Sequence, residues 1–405
     1  MRYGEKIIAA TMGLSLCTVA VFAAPQSDLS VLAQGNSTFA FDLYHRLLST
    51  QGNLFFSPYS VSTALAMTYA GARGNTEKEM AGTLCFSLNQ EKLHPAFLDL
   101  QTQVISAQKS GGVKLFIANS LWPDRTYKFL DSYISLVSRF YGVSITPVDY
   151  VKAAEAAREL INNWVEEKTQ GKIKEIIPPR FLNHLTRLVL VNAIYFKGNW
   201  ESQFKKSETK IEPFRVTPGT IVNTPMMAQV QKARYAELKT FQMLELPYSG
   251  KSLSMLVLLP KEEVGVGKLE SSLSAEALVE WKKHLSERDV QVFLPKFKMV
   301  CGFRMDKTLK SLGMIEAFDD NANFAGMDGT RLLYIGAVLH KAFVELNEEG
   351  TEAAAATAVI VALRSMPSPQ PVFRADHPFV FLIQENQTGS ILFMGRLNNP
   401  AQTGE

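Results

Sequence analysis

The stretch that most constrains this chain lies near its C-terminal end: Glu348-Glu349-Gly350-Thr351-Glu352-Ala353-Ala354-Ala355-Ala356-Thr357-Ala358-Val359-Ile360-Val361-Ala362-Leu363-Arg364-Ser365. Between Glu352 and Arg364 it runs eleven residues without a charge, and past Ser365 it meets Pro367, Pro369 and Pro371. A membrane-spanning helix needs about twenty apolar residues, so this run is too short to be one. It follows neither the helical nor the strand period of an amphipathic segment. Its order is one of size: Thr and Ala come first, then β-branched Val359, Ile360 and Val361. Small side chains let a strand slide between two others without steric work, and β-branched ones pack well once it is there. As a strand it puts Thr351, Ala353, Ala355, Thr357, Val359 and Val361 on one face and Glu352 on the other, where it stays solvated. Two ordinary uses compete with this reading. Alanine favours helix, and a fixed central strand has the same composition.

The flanking residues bring in a family. Glu348 to Glu352, followed by four alanines and Thr357, resembles the hinge of the reactive-centre loop of the serpins. Downstream, Ala375-Asp376-His377-Pro378-Phe379-Val380-Phe381-Leu382-Ile383 is similar to that family's C-terminal signature. So is Thr388-Gly389-Ser390-Ile391-Leu392-Phe393-Met394-Gly395-Arg396, through to Pro400. The resemblance extends over nearly the whole chain after residue 30. It implies an α+β serpin fold, with mixed β-sheets, a helical cluster and an exposed reactive-centre loop at about 348–371, in a single domain over 30–400.

Composition agrees with one large domain. The chain has 405 residues, 46% hydrophobic and 20% charged, which is ample for a large core, with no internal repeat and no Pro/Gly/Ser-rich linker. A net charge of +3 implies no bulk attraction to nucleic acid or membrane. Residues 1–23 read as a signal peptide: Arg2 and Lys6 form a basic start, Ile7 to Leu16 an apolar stretch, and Ala20 and Ala23 small residues for cleavage. Export follows as the expectation, to the extracellular space or a periplasm. Without that segment only Cys85 and Cys301 remain, expected as two separate thiols. Asn36-Ser37-Thr38 and Asn386-Gln387-Thr388 fit the glycosylation pattern.

Along the chain, Phe39 to Leu48 and Val61 to Ala70 have helical spacing, and Thr76 with Glu79 fits a capping box. Leu115 to Trp122 reads as a buried strand, and Ala153 to Lys168 as an amphipathic helix with Leu160, Ile161 and Trp164 on one face. Leu188 to Phe196 is a near-continuous apolar strand, as a sheet buried on both faces requires. By resemblance, Asn53, Ser57, Ser60, Asn192 and His340 belong to the polar "shutter" where strands part to admit the loop. Trp200, in Lys197-Gly198-Asn199-Trp200, belongs to the "breach" where insertion begins. From spacing alone, Ser57 or Ser60 could equally be a helix cap, and His340 a hydrogen-bonded core residue.

Motifs for catalysis are missing: there is no HExxH, CxxC pair, GxSxG or phosphate loop, and the six histidines lack ligand spacing. No catalytic residue, metal or cofactor is expected, and the chain is read as not an enzyme. From Pro95 to Gly111, where some serpins carry a basic heparin-binding helix, only Lys109 is basic. The resemblance implies a secreted serine-type endopeptidase inhibitor that traps its target by suicide cleavage. The scissile bond, sixteen residues past Glu348, falls at Arg364-Ser365. Arg364 is the only basic residue between the hinge and Arg374, so the expected partner is a trypsin-like serine protease held as a covalent acyl complex. The alternatives are a non-inhibitory carrier or chaperone and a cross-class cysteine-protease inhibitor. The chain is expected to be monomeric, with loop-sheet polymers as a liability of so exposed a β-prone segment.

Overall fold

The computed structural model describes residues 26–109, 112–143, 145–349 and 370–403. Residues 1–23, read above as a signal peptide, and the stretch from Gly350 to Pro369 therefore lie outside the described residues. The chain opens with α1 (Asp28–Leu47), β1 (Leu54–Phe56), α2 (Pro58–Tyr69), α3 (Gly74–Thr83) and α4 (Gln90–Lys109). There follow β2 (Val113–Pro123), α5 (Asp131–Tyr141), α6 (Tyr150–Lys168), β3 (Leu188–Gly198), β4 (Lys210–Thr217) and β5 (Thr220–Glu237). Next come β6 (Phe241–Pro247), β7 (Leu253–Pro260), α7 (Val266–Glu270), α8 (Ala275–Lys282), β8 (Ser286–Pro295) and β9 (Phe297–Arg304). The last are α9 (Asp306–Ser311), α10 (Ala325–Asp328), β10 (Ala337–Leu346), β11 (Val372–Arg374), β12 (Phe379–Glu385) and β13 (Ile391–Leu397). No helix among the described residues is long and apolar enough to cross a membrane.

Two sheets divide these strands. A nine-stranded sheet has the order β1-β13-β12-β7-β6-β5-β8-β11, with β4 pairing β5. A four-stranded sheet has the order β2-β3-β10-β9. In the latter, β2–β3 and β10–β9 are antiparallel, while the central pair β3–β10 is parallel.

The expected double burial of β3 holds, and its period of two sorts the side chains. Val189, Val191, Ala193 and Tyr195 join Ile161 and Val165 of α6 in a cluster on the outer face. Leu188, Leu190, Ile194 and Phe196 join the main core on the inner face. The helix α2, buried along its whole length, packs against β2, β3 and β13 and so ties the two sheets together. On α6 the predicted face is split: Ile161 is buried, Trp164 half-buried and Leu160 half-exposed.

The Thr76/Glu79 capping box does not form. The helix α3 starts at Gly74, two residues before Thr76, which therefore sits inside it. Both side chains serve a distant loop instead. Thr76 Oγ1 donates to Glu316 (3.1 Å) and accepts from the Asn323 N–H (2.9 Å), while Glu79 accepts the N–H groups of Ile315 and Glu316 at 2.8 Å each. The thiols of Cys85 and Cys301 are free.

Candidate functional site

The inner parity of β3 and β10 carries one polar interruption each. Asn192 lies on the inner face because it shares parity with Leu190 and Ile194, and His340 because it shares parity with Val338 and Ala342. The register places Asn119, Asn192, His340 and Phe303 in a single row across all four strands.

The row's polar members are hydrogen-bonded from Asn119 to His340, and Phe303 stacks on the imidazole. His340 Nε2 accepts the Ser57 N–H at 3.0 Å, so this nitrogen carries no proton. The proton therefore sits on Nδ1, which donates to Asn192 Oδ1. Asn192 Nδ2 donates in turn to Asn119 Oδ1 and Ser60 Oγ. Ser60 Oγ also donates to Asn119 Oδ1 at 3.2 Å. Ser57 Oγ caps α2 by accepting from the Ser60 N–H at 3.1 Å and donates to the Leu392 carbonyl at 2.6 Å. The helix cap and the polar row are thus one arrangement. Burial pushes the His340 imidazole down to about 3, against the Asn192 bond, so it is neutral at physiological pH.

Asn53 is placed apart from this row. Its Oδ1 accepts the N–H groups of Asn398 and Asn399 at 2.8 and 2.9 Å. Its Nδ2 donates to the carbonyls of Asn399 and Gln402, also at 2.8 and 2.9 Å. The amide is fully used in tying down the C-terminal tail. Asn119, which sequence reasoning passed over, fills out the row. Its signal was the same as that of His340, a lone polar residue of the inner parity in an apolar strand.

A second cluster stands at the end of the β3–β10 junction towards the hinge. The parallel pairing stops at Val344 and Phe196. Beyond it β3 continues against β2 through Lys197 and Gly198, and β10 against β9 through Glu345 and Leu346. Lys197 and Glu345 bridge the split at 3.8 Å. Trp200 stacks on Tyr248 (centroids 4.7 Å, 8° between planes) and donates its indole N–H to the Asn347 carbonyl at 3.0 Å.

Glu348, expected above as the first hinge residue, is held firmly here. The Phe204 N–H donates to the Glu348 carbonyl at 3.0 Å. The Glu348 carboxylate is buried, accepts from Thr209 Oγ1 at 2.9 Å and pairs with Lys296 Nζ at 2.8 Å. Burial pushes this carboxyl up, but the bonds from Lys296, its own N–H and Thr209 outweigh burial and hold it below the usual range. Glu349 pairs with Lys206, and its N–H donates to Asn347 Oδ1 at 3.2 Å. The remaining hinge residues, Gly350 to Thr357, and Arg364 with Ser365 lie outside the described residues.

Neither glycosylation pattern offers an accessible, unengaged amide, and the Asn36 Nδ2, although without a partner, is buried. Asn36 is fully buried with its Oδ1 accepting from Ser62 at 2.7 Å. Asn386 Nδ2 donates to the Lys251 carbonyl and to Ser254 Oγ, each at 2.8 Å.

The two sheets, with the parallel β3–β10 pair at the centre of the smaller one, are those of a family of protease inhibitors, as comparison with known proteins shows. Residues 34–400 match the family model described as Serpin (serine protease inhibitor), and the chain belongs to that family. It is 41% identical over 392 residues to human Serpin B4, matching 92% of this chain and 100% of that one. It is 42% identical over 380 residues to leukocyte elastase inhibitor A of Rattus norvegicus, matching 91% of this chain and 99% of that one. Its fold superposes on uncleaved ovalbumin with a TM-score of 0.82 at 32% identity, covering 91% of this chain and all of that one. On maspin the TM-score is 0.85 at 29% identity, covering 93% and 100%.

Two expectations are corrected by these relatives. Secretion is withdrawn: Serpin B4 and leukocyte elastase inhibitor A are matched over 100% and 99% of their own length by only 92% and 91% of this chain, with no counterpart of an export leader. The features that suggested a leader, two basic residues and a short apolar run, are not specific to one. The bare description "not an enzyme" is also replaced by a positive one, because the matched family is that of the serine protease inhibitors.

Proposed function

We propose that this chain inhibits trypsin-like serine proteases as a suicide substrate, cleaved between Arg364 and Ser365. The observation that carries the reading is the parallel β3–β10 pair with the hinge leaving from its open end. A chain that leaves β10 at Leu346 and folds back between the two strands runs antiparallel to both. Parallel pairing is slightly weaker per residue than antiparallel, so the insertion exchanges one weaker interface for two stronger ones. Protein chemistry already knows serpin loop insertion as a case of strand addition to a sheet.

In this reading the protease serine attacks the Arg364 carbonyl, the amine of Ser365 leaves, and an acyl-enzyme forms. The Arg364 guanidinium suits a specificity pocket that ends in a carboxylate. The freed segment, Thr351 to Leu363, then adds to the sheet and carries the acylated enzyme with it. About ten new backbone hydrogen bonds at about 1 kcal/mol each make the insertion favourable by about 10 kcal/mol. Trp200 and the Glu348 cluster mark where insertion starts, and the Asn192–His340 row is what it must part.

Incubation with trypsin followed by denaturing electrophoresis tests this. The expected product is a covalent species that survives the denaturant and is lost in Arg364→Ala. Simple cleavage at Arg364, with free trypsin recovered and no rise in the melting temperature of the nicked inhibitor, overturns it.

A further inference from the structure

The outer face of the four-stranded sheet carries a charged row where β3 and β10 stop pairing. Lys114 stands opposite Lys197 across β2 and β3, and Glu345 opposite Lys298 across β10 and β9. Lys197 and Glu345 bridge the open end of the junction at 3.8 Å, with side chains only 17% and 30% exposed. The row thus sets three lysines against one carboxylate. Like charges directly opposite each other in a sheet repel, and Lys114 faces Lys197 with no ion pair of its own among the described residues. Lys298 has none there either, and its ammonium lies over the Phe343 ring at 5.1 Å, on the face that Glu345 shares.

The chain's own sequence holds an acid that fits this row. Glu348 and Glu349 are engaged elsewhere, the first with Thr209 and Lys296 and the second with Lys206. A strand returning between β3 and β10 therefore starts past Glu349, and a connection over residues 347–350 has a common four-residue length. It sets Thr351 opposite Leu346, which faces the main core, as the small-residue face of the segment requires. Glu352, which lies outside the described residues, then falls on the outer face with Glu345 on one side and Lys197 on the other. We propose that Lys197 and Lys298 are positioning residues for Glu352. The returning strand splits the Lys197–Glu345 bridge, Lys197 pairs with Glu352 instead, and Glu345 turns to Lys298, which already stands opposite it. One ion pair becomes two, and Lys114 gains an acid near its unpaired charge. The exchange also selects the register, because a slip of one residue would turn Glu352 into the core. This inference rests on the strand addition proposed above and names the side chains that guide its start.

The test uses the whole uncleaved chain and a synthetic peptide of residues 351–363, labelled at its C-terminal end so that its addition to the sheet is followed by fluorescence. A second peptide carries Glu352→Gln, a change that leaves the protein untouched. At low ionic strength the Glu352 peptide should add about threefold faster, the effect of one partly exposed ion pair, and high salt should erase the difference. The preference should vanish in Lys197→Gln. It should shrink in Lys298→Gln, where Glu345 repels the incoming acid unopposed, and grow in Glu345→Gln. A merely structural role for these surface residues would slow or speed both peptides alike. Equal addition of the two peptides to the wild type, or a preference that all three variants leave unchanged, overturns the exchange while leaving strand addition standing. Peptides that never add to the sheet would overturn both. A Glu352 preference in a protein that fails to trap trypsin would sink only the trapping.

Discussion

Asn192 stands directly opposite His340 across the β3–β10 junction, and of the eight register pairs there it is the only one polar on both strands. The other inner positions of the junction, Leu190 with Val338, Ile194 with Ala342 and Phe196 with Val344, are apolar and buried. Parting the strands breaks the backbone ladder along its length, but among the inner side chains it costs apolar contact everywhere except at one place, where a hydrogen bond must find a new partner. An inserting strand brings its own backbone groups to that place.

The strength of this bond is open to direct measurement. In Asn192→Ala the Nδ1–H of His340 and the Oδ1 of Asn119 each lose their bond to Asn192 inside the core. A buried polar group left unpaired costs about 1–3 kcal/mol. Urea unfolding should show a loss in that range, together with faster self-association on mild heating. An unchanged midpoint would mean that the row contributes nothing to the closed state.

Acid should weaken the fold before the carboxylates titrate. Burial pushes His340 down to about 3, and burial likewise pushes His94, whose Nδ1 lies 2.7 Å from the Tyr141 hydroxyl, down to about 4. Unfolded histidine titrates near about 6.5, so as the pH falls the unfolded chain binds these two protons while the folded chain does not. Stability is therefore complete above about pH 6.5 and falls below it by about 1.4 kcal/mol per pH unit for each histidine. It stops falling near 4 for His94 and near 3 for His340. His377 acts in the opposite sense. Burial lowers its pKa, but the bonds to Asp376 and the Pro260 carbonyl outweigh burial and raise it, so its contribution is present below the unfolded value and lost as pH rises. Urea unfolding between pH 6.5 and 5 should give the wild-type slope, and His340→Gln a slope shallower by one proton. Equal slopes would refute the assignment of a buried neutral His340.

What the sequence disclosed follows the range of the interactions. The strand β3 was legible because a run buried on both faces must be apolar, while Asn192 and His340 were singled out by resemblance. Ser57 read as either a cap or a member of the polar row, and its Oγ caps α2 while its N–H meets His340. Asn119 carried the same local signal but no motif around it. The partners of Glu348 were invisible: Thr209 lies 139 residues away, and nothing about Thr209 or Lys296 marks it locally. The capping pattern at Thr76 misled because its side chains found stronger work in the loop at 315–323. Localisation failed for another reason, since a basic start and a short apolar run are a weak pattern.

The anchoring of the hinge gives a third prediction. Glu348→Gln keeps the Thr209 bond and removes the charge that Lys296 meets. Lys296 is about a third exposed, so the loss should be near 1 kcal/mol, below the range for a fully buried charged bond. Its local effect should be larger than its global one. Exchange at the Phe204 N–H, which donates to the Glu348 carbonyl, should rise several-fold, and Lys296→Ala should do the same. If exchange there is unmoved in both variants, the carboxylate does not anchor the hinge.

The last prediction rests on the function proposed above and concerns Thr351, the side chain that enters the sheet first in that proposal. Thr351 is small enough to pass where β3 and β10 part, beside Phe196 and Val344. An arginine at 351 would have to lose much of its hydration among those apolar neighbours, and burying an unpaired charge costs several kcal/mol. That penalty falls on the start of insertion, before the later hydrogen bonds can offset it. Each 1.4 kcal/mol of barrier slows the step about tenfold, whereas hydrolysis of the acyl-enzyme is unaffected. Thr351→Arg should therefore still be cut after Arg364 but release active trypsin, raising the number of inhibitor molecules consumed per enzyme inactivated by an order of magnitude or more. Thr351→Ser, close in size and polarity, should behave as the wild type. Retention of the covalent complex in Thr351→Arg would show that insertion begins at some other residue of the hinge.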